Sequence, residues 1–391
     1  MLYAWLMLFI TCSVAGIFGA TLCYIVAGKV AASRESNLSR WIRSKSPSLR
    51  DTLIFFATMT AAIMLLAAII TSGIVAFNSD QLVADTEILS GRVVEKTQER
   101  VSCTHSDSCN CRTVTRGSGK DRYTTTECDT CYEHDRDYNW MVATTVGDIE
   151  IDRVDRQGVN TPPRWAAVVL DEPVAVEHNY TNWIKGSKAS VFNREGERLG
   201  KTYSVPEYPQ VFDYYRIRRI VSDNPAAFGD KLNRAETDLA NALRHLGPDK
   251  QVSVSIFHTS RYDQGYARAV YNAFSGGKKN DVMIVIGSSP TGKVDWVAVT
   301  SYSTNDMLNV KIRDDLLEIG DLKKIDEMVP KIVDDITRHF NRRRMRTFEY
   351  LSSDIEYVSA TETVILCFIM AAAGVGIVLI MRNDRRFFGR F

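Results

Sequence analysis

Residues Leu53–Phe77 read LIFFATMTAAIMLLAAIITSGIVAF, an unbroken run without a charged side chain. An α-helix rises about 1.5 Å per residue, so a run of this length crosses a hydrocarbon core of about 30 Å. Two further runs have the same character, Leu2–Val26 and Thr363–Met381. Between the first and second lies Lys29–Asp51, with Lys29, Arg34, Arg40, Arg43, Lys45 and Arg50 against Glu35 and Asp51. After the third come Arg382, Arg385, Arg386 and Arg390 against Asp384. Short loops rich in Lys and Arg are retained on the cytoplasmic side. The charges therefore predict an integral membrane protein, in a membrane of the bacterial inner-membrane kind, with the N-terminus out and the C-terminus in. Everything between the second and third spans is then expected to fold in a periplasmic or extracellular space.

Leu2–Val26 lacks a basic leading segment and is followed at once by a second span, so it reads as a retained helix rather than a cleaved signal. No span has a charged residue near its centre, which argues against ion conduction or a proton relay. Glu362 sits at the outer edge of the third span and reads as interfacial. Small residues recur at four-residue spacing, Ala15 with Gly19, Gly16 with Ala20 and Ala372 with Gly376. Such pairs let helix backbones approach closely in lipid, as a bundle or oligomer seam; the simpler reading is that Gly and Ala are common in membrane helices. Lys and Arg number 48 against 47 Asp and Glu, with no sustained basic face, so nucleic acid is not an expected partner. The expected partners are the lipid bilayer and either another protein or a second copy of the chain.

The expected organisation is transmembrane helix 1 over 1–28, a basic cytoplasmic loop over 29–51 and transmembrane helix 2 over 52–77. A β-rich, cysteine-containing extracytoplasmic subdomain follows over 78–221, then an α/β subdomain over 222–345. A helix over 346–381 continues into transmembrane helix 3, with a basic cytoplasmic tail at 382–391. The fold class is thus α/β with three transmembrane helices. In the first subdomain Ile88–Val94 is strand-like, Met141–Asp155 alternates as one or two short strands, and Trp165–Leu170 is a short apolar run. Turn residues are dense between Gln157 and Pro209.

From Ser222 the character changes. Asn224-Pro225 predicts a helix start, Phe228, Leu232, Ala235, Leu239, Ala240 and Leu243 keep helical spacing, and Gly247-Pro248 predicts the stop. Gln251–His258 alternates as a strand, Tyr262–Phe274 suits a helix, Asp281–Gly287 reads as a central strand covered on both faces, and Val294–Val299 as another strand. A last helix is expected from about Pro330, with Ile332, Ile336 and Phe340 stacked, running on towards the third span. This order predicts helices covering a small sheet.

The stretches Leu243-Arg244-His245-Leu246-Gly247, Gln251–Thr259, Tyr266–Phe274 and Lys279–Gly287 carry a resemblance. Through them, Asn224–Phe340 resembles the TPM domain of thylakoid-lumen acid-phosphatase-like proteins and their bacterial membrane-anchored relatives. That resemblance implies an α/β sandwich and a cation-dependent phosphatase activity. The family usually has a glycine-rich turn where this chain reads Thr300-Ser301-Tyr302-Ser303-Thr304-Asn305-Asp306. The chain as a whole also resembles membrane proteins carried by large tailed phages.

Five cysteines crowd together, Cys103, Cys109, Cys111, Cys128 and Cys131. Three readings stand. Two disulfides with one thiol left over suit an oxidising space. Structural zinc at Cys109, Cys111, Cys128 and Cys131, with His105 and His134 as alternative ligands, suits the Cys-x-Cys and Cys-x2-Cys pairs. A redox role is the third. Each of them staples a loop-rich segment that has little core of its own.

For catalysis the candidates are His258, at a strand end where α/β sheets bind ligands, with Thr259, Ser260 and Asp263 after it, and Asp281. Asp281, Asp295, Asp306, Asp314 and Asp315 fall in loops of the same half and are candidates for calcium. The simpler readings are a surface histidine and solvated carboxylates. Gly276-Gly277-Lys278-Lys279 lacks a phosphate-loop frame and reads as a helix end. Arg342, Arg343, Arg344 and Arg346 form a membrane-proximal basic group, set either against lipid headgroups or a partner, or against Asp354 and Glu356. Asn179-Tyr180-Thr181 is a glycosylation sequon, meaningful only in a secretory pathway. The sequence favours an anchored binding protein without catalysis over a membrane-anchored hydrolase.

Overall fold

The computed structural model describes residues 2–33, 49–117, 122–187, 199 and 202–383. In chain order the elements are α1 (Leu2–Ser33), α2 (Leu49–Val83), β1 (Ala84–Val101), β2 (Ser106–Arg116), β3 (Tyr123–Tyr132), β4 (Asp137–Thr144) and β5 (Ile149–Ile151). Next come α3 (Pro163–Ala166), β6 (Pro173–Thr181), α4 (Trp183–Gly186), β7 (Val211–Phe212), β8 (Arg216–Ile217) and β9 (Ile220–Ser222). The last are α5 (Leu232–Lys250), β10 (Ser253–Thr259), α6 (Gly265–Ala273), β11 (Asp281–Ser288), β12 (Val294–Ser301), α7 (Met307–Ile319), α8 (Ile325–His339) and α9 (Ala360–Asn383). They group into two compact units. One comprises Met1–Asp85, Thr181–Asn193 and Arg346–Phe391; the other comprises Thr86–Tyr180 and Arg194–Met345.

In the first unit α1, α2 and α9 are each long and apolar enough to cross a membrane. Trp5 Nε1 donates to Ser72 Oγ at 2.9 Å, and a Cβ on Gly16 would lie 2.7 Å from Ile63 Cγ2, so α1 and α2 run antiparallel. Asn78 Nδ2 donates to the Tyr357 carbonyl at 2.7 Å, placing the end of α2 beside the start of α9. α1 and α9 therefore run in the same direction. Their seam is built of small residues. A Cβ on Gly19 would strike the Ala371 backbone, and one on Gly374 the Gly16 carbonyl. The close approach expected of Gly16, Gly19 and Ala20 is thus realised within the chain, whereas Gly376 has open space around it. Ser359 and Glu362 form a capping box at the head of α9: Ser359 N donates to Glu362 Oε2 at 2.8 Å, and Glu362 N to Ser359 Oγ at 3.2 Å. Leu6, Ile10, Phe18, Leu65, Ile69, Phe77, Ile365 and Phe368 leave large apolar side chains exposed on the outside of the bundle. The basic stretches 34–48 and 384–391 lie outside the described residues.

The second unit holds two two-stranded sheets, β2-β3 and β7-β8, and two four-stranded ones. The first has strand order β5-β4-β1-β6 and a small core of Val93, Trp140, Val142, Ile151, Val168, Val174 and Tyr215. β1 is much longer than the strand expected at Ile88–Val94, and Trp165 sits on the one-turn helix α3 rather than in an extended run. The second sheet has order β12-β11-β10-β9, with β9, β10 and β11 parallel and β12 antiparallel. Val254, Ile256, Val282, Ile284 and Ile286 face α5, α7 and α8, packing on Leu239, Leu243, Ile312, Leu316 and Ile332. Phe257, Met283 and Val285 face α6 through Tyr266, Ala267 and Val270. Both faces are covered, so β10 and β11 are buried from end to end, as their apolar runs require.

Several expectations need correcting here. The helix expected from Asn224 is broken: a 3-10 turn occupies Pro225–Phe228, Gly229 turns the chain with φ of 65°, and α5 starts at Leu232. Gly247-Pro248 does not stop α5, which runs to Lys250 and is capped by left-handed Gln251. Without a Cβ, Gly247 escapes the crowding that a following proline imposes. Gly247 is also where α5 meets β1, because a Cβ there would strike the Ser90 carbonyl. The α7 helix was not foreseen; it buries Leu308, Ile312 and Leu316 and ends at left-handed Gly320, and it carries Asp314 and Asp315 on a helix instead of a loop. α8 starts at Ile325, not Pro330, and ends at His339; a 3-10 segment at Met345–Asp354 separates it from α9, so no continuous helix enters the third span.

Candidate functional site

The cysteine segment is a hairpin. β2 and β3 pair antiparallel from Ser106↔Tyr132 to Arg116↔Tyr123, with an irregularity between Cys109 and Arg112. Thr113↔Thr126 and Thr115↔Thr124 sit opposite one another, β-branched residues suited to a pleated strand. Almost every residue of both strands is exposed, so no apolar core holds them. Instead Cys109 is bonded to Cys131 and Cys111 to Cys128. In this bonded form the thiols of Cys109, Cys111, Cys128 and Cys131 are paired with one another and do not face a common metal.

Cys103 is the free thiol of this segment and is buried. It stands at the root of the hairpin with His105, His134 and Asp137, and one donor atom from each lies within 4.8 Å of the others. His105 Nδ1 is 3.3 Å from Asp137 Oδ2, His134 Nδ1 is 3.4 Å from Asp137 Oδ1, and Cys103 Sγ is 3.8 Å from His134 Nδ1. Arg153 Nη1 donates to Asp137 Oδ2 at 3.0 Å. Burial pushes the Asp137 carboxyl up, but hydrogen bonds from Arg153, Cys103 and the Thr104 backbone outweigh it and hold the group below its ordinary value. A thiolate, two imidazoles and a carboxylate at these separations could hold a metal ion. Among the described residues no comparable group includes Asp281, Asp295, Asp306, Asp314 or Asp315, the calcium candidates; Asp314 lies against Arg313 and Asp315 against Lys331.

Asp281 stands apart from the other catalytic candidates. His258 does lie at the carboxyl ends of the parallel strands, beside Ser222 of β9 and Ser288 of β11. However, it is 1% exposed rather than a surface residue. Its Nδ1 pairs with Ser222 Oγ at 2.7 Å and its Nε2 with Ser288 Oγ at 2.8 Å, so both nitrogens are used. Burial pulls it down to about 4, against a smaller upward pull from Asp223, which keeps the ring neutral. Thr259 Oγ1 and Ser260 N both donate to Asp223. Asp263 Oδ1 accepts from Tyr203 Oη at 2.8 Å and Gly265 N at 2.9 Å, fixing the start of α6. Asp281 heads β11 at the other end of the sheet. His258 is in register with Ile286, so Asp281 lies about 16 Å away along the strand. There it accepts from Tyr208 Oη at 2.7 Å and Lys278 N at 2.8 Å, and burial raises it to about 6. A cavity of about 200 Å³ adjoins His258, lined also by Ser222, Asp223, Arg261 and Tyr266.

Compared with known protein families, curated proteins and solved structures, the chain matches none. The geometry carries the reading alone.

The basic group divides. Arg342 Nη2 meets both carboxylate oxygens of buried Glu87 at 2.6 Å, with Lys279 Nζ at 3.1 Å and His178 Nδ1 at 3.0 Å on the same carboxylate. Its partner is therefore Glu87, across 255 residues. Arg343 Nη2 donates to the Ser303 carbonyl, Arg346 lies 3.9 Å from Glu349, and Arg344 is exposed.

Proposed function

We propose that this chain is an integral membrane protein whose three helices anchor a non-enzymatic binding module on the outer side of the membrane, where it meets a protein or envelope partner or a second copy. The observation that carries this reading is the direction of the helices. With α1 and α9 running together and α2 against them, Ser33, Leu49 and Asn383 fall at one end of the bundle, and both Lys- and Arg-rich segments lead from that end. The charge rule assigns it to the cytoplasm and the opposite end, where Val83 and Ala360 lie, to the outside. Disulfides in the intervening region suit an oxidising compartment. Trp183 and Tyr357 pack with the bundle's apolar side chains near Val83, as aromatic side chains do at a membrane interface.

The non-enzymatic reading is supported by Asp281 lying at the far end of the sheet from His258, and by His258, Asp263 and Asp281 each being individually engaged. A second reading, a cation-dependent phosphatase-like hydrolase of the TPM type, draws support from the cavity beside His258, which offers Asp223 and Arg261 at the strand ends. Full-length protein in liposomes, assayed on a generic phosphomonoester with Mg²⁺ or Ca²⁺, separates the two. The binding reading expects no turnover above protein-free vesicles. Turnover lost in His258→Asn would replace it with the hydrolase.

A further inference from the structure

We propose that Cys103, His105, His134 and Asp137 form a structural zinc site that clamps the two roots of the disulfide hairpin. The four ligands come in pairs from either side of it. Cys103 and His105 lie between β1 and β2, and His134 and Asp137 between β3 and the first residue of β4. An ion bound by all four fixes both ends of the hairpin to the β1–β4 ladder.

The spacing carries the assignment. With metal–nitrogen and metal–oxygen bonds of about 2.0–2.1 Å and a metal–sulfur bond of about 2.3 Å, neighbouring ligand atoms of a tetrahedron stand about 3.3–3.6 Å apart. Three of the contacts stand at 3.3 Å, 3.4 Å and 3.8 Å, the first to Asp137 Oδ2 and the second to Asp137 Oδ1, and one donor atom from each of the four residues lies within 4.8 Å of the others. A second observation is independent of spacing. His105 Nδ1 and Asp137 Oδ1 are buried without a well-aligned hydrogen bond, at 3.3 Å from Asp137 Oδ2 and 3.4 Å from His134 Nδ1 respectively, although such groups are almost always satisfied. Asp137 is fully buried, and Arg153 holds its other oxygen, the outer-shell contact that orients a ligating carboxylate. A thiolate and a carboxylate together balance a divalent charge, and the mixed sulfur and nitrogen set favours zinc over calcium or magnesium. Four protein ligands leave no open position, so the role is structural. The same arrangement explains why an odd cysteine persists beside two disulfides without a thiol partner.

The test uses full-length protein in detergent, stripped with a chelator and returned to Co²⁺ or Zn²⁺. We expect one zinc per chain, and cobalt spectra with a thiolate charge-transfer band and tetrahedral d–d bands that zinc abolishes. Cys103→Ser should remove the charge-transfer band, while Arg153→Met should weaken binding about 10–100-fold and leave the band in place. Because a ligand variant can fail to fold, the unaltered protein supplies a second readout: a maleimide should modify Cys103 only after chelation. A missing charge-transfer band, a band that survives Cys103→Ser, or equal labelling of Cys103 before and after chelation would overturn the assignment.

Discussion

The β9–β12 sheet and the β2–β3 hairpin are both strand pairings, and they are held by opposite means. Every residue of β10 and β11 is buried between helices, and the hairpin buries almost nothing. Burial of apolar area sustains the sheet. A two-stranded hairpin without a core is marginal in water, and here cross-links replace the missing core. The contrast explains where the charge clusters sit. Glu87 and Asp281 are buried, engaged by ion pairs and hydrogen bonds respectively, whereas the hairpin concentrates its chemistry in sulfur and at its root.

The contrast is broken most severely by reductant. Each disulfide closes a loop of about 20 residues, for which chain entropy gives about 3 kcal/mol. Reduction should therefore unprotect hairpin amides in hydrogen exchange while β10 and β11 keep their protection; equal protection before and after would mean the hairpin has another support. Next in size is Glu87→Ala, which strands Arg342 and Lys279 in a largely buried position and should cost about 3–5 kcal/mol in urea unfolding. Ile284→Ala should cost about 3 kcal/mol by the same measurement, because its site is enclosed on the α5, α7 and α8 face.

Acid sharpens the comparison further, since two groups that burial shifts within the acid range, His258 and Asp281, belong to the sheet. His258, pulled down to about 4 from 6.5, makes the unfolded chain bind more protons, so its contribution is full above pH 6.5 and is lost as pH falls towards 4. Asp281, raised to about 6 from 3.8, has the opposite sign, and folding gains stability as pH drops through 6. The two largely offset in the unaltered chain. Asp281→Asn should expose the histidine, with stability falling by about 2 kcal/mol between pH 7 and 4.5; a flat profile in that variant would contradict the burial of His258. The smallest effect expected is that of Thr113→Ala on the exposed hairpin surface, below about 0.5 kcal/mol in stability.

How much was legible follows the same divide. Asp281–Gly287 announces its element because burial on both faces leaves an unbroken apolar signature, and Leu53–Phe77 because a helix able to cross a membrane is apolar on its outward face too. Helix ends were less legible. Gly247-Pro248 has the pattern of a stop, but the glycine answers to the Ser90 carbonyl, a contact between residues far apart in sequence. α7 carries an apolar stripe and a closing Gly320 that local reading could have found; its charged residues drew attention as ligands instead. At the hairpin, the odd cysteine count marked one thiol as different without saying which. Only the β2–β3 register sets Cys103 apart and joins it to His105, His134 and Asp137. Their symmetric placement, Cys-x-His before the cysteine pairs and His-x2-Asp after them, was the available signal. Arg342 could not be traced to Glu87 from sequence, because nothing local links residues so far apart.

The central claim is that the folded region lies across the membrane from the basic segments. Labelling with an impermeant maleimide in sealed right-side-out vesicles tests it, comparing Asp238→Cys, on the exposed face of α5, with Ser44→Cys in the basic stretch, each against the parent protein. The account predicts labelling of Asp238→Cys in sealed vesicles and of Ser44→Cys only after permeabilisation; the reverse pattern would contradict it.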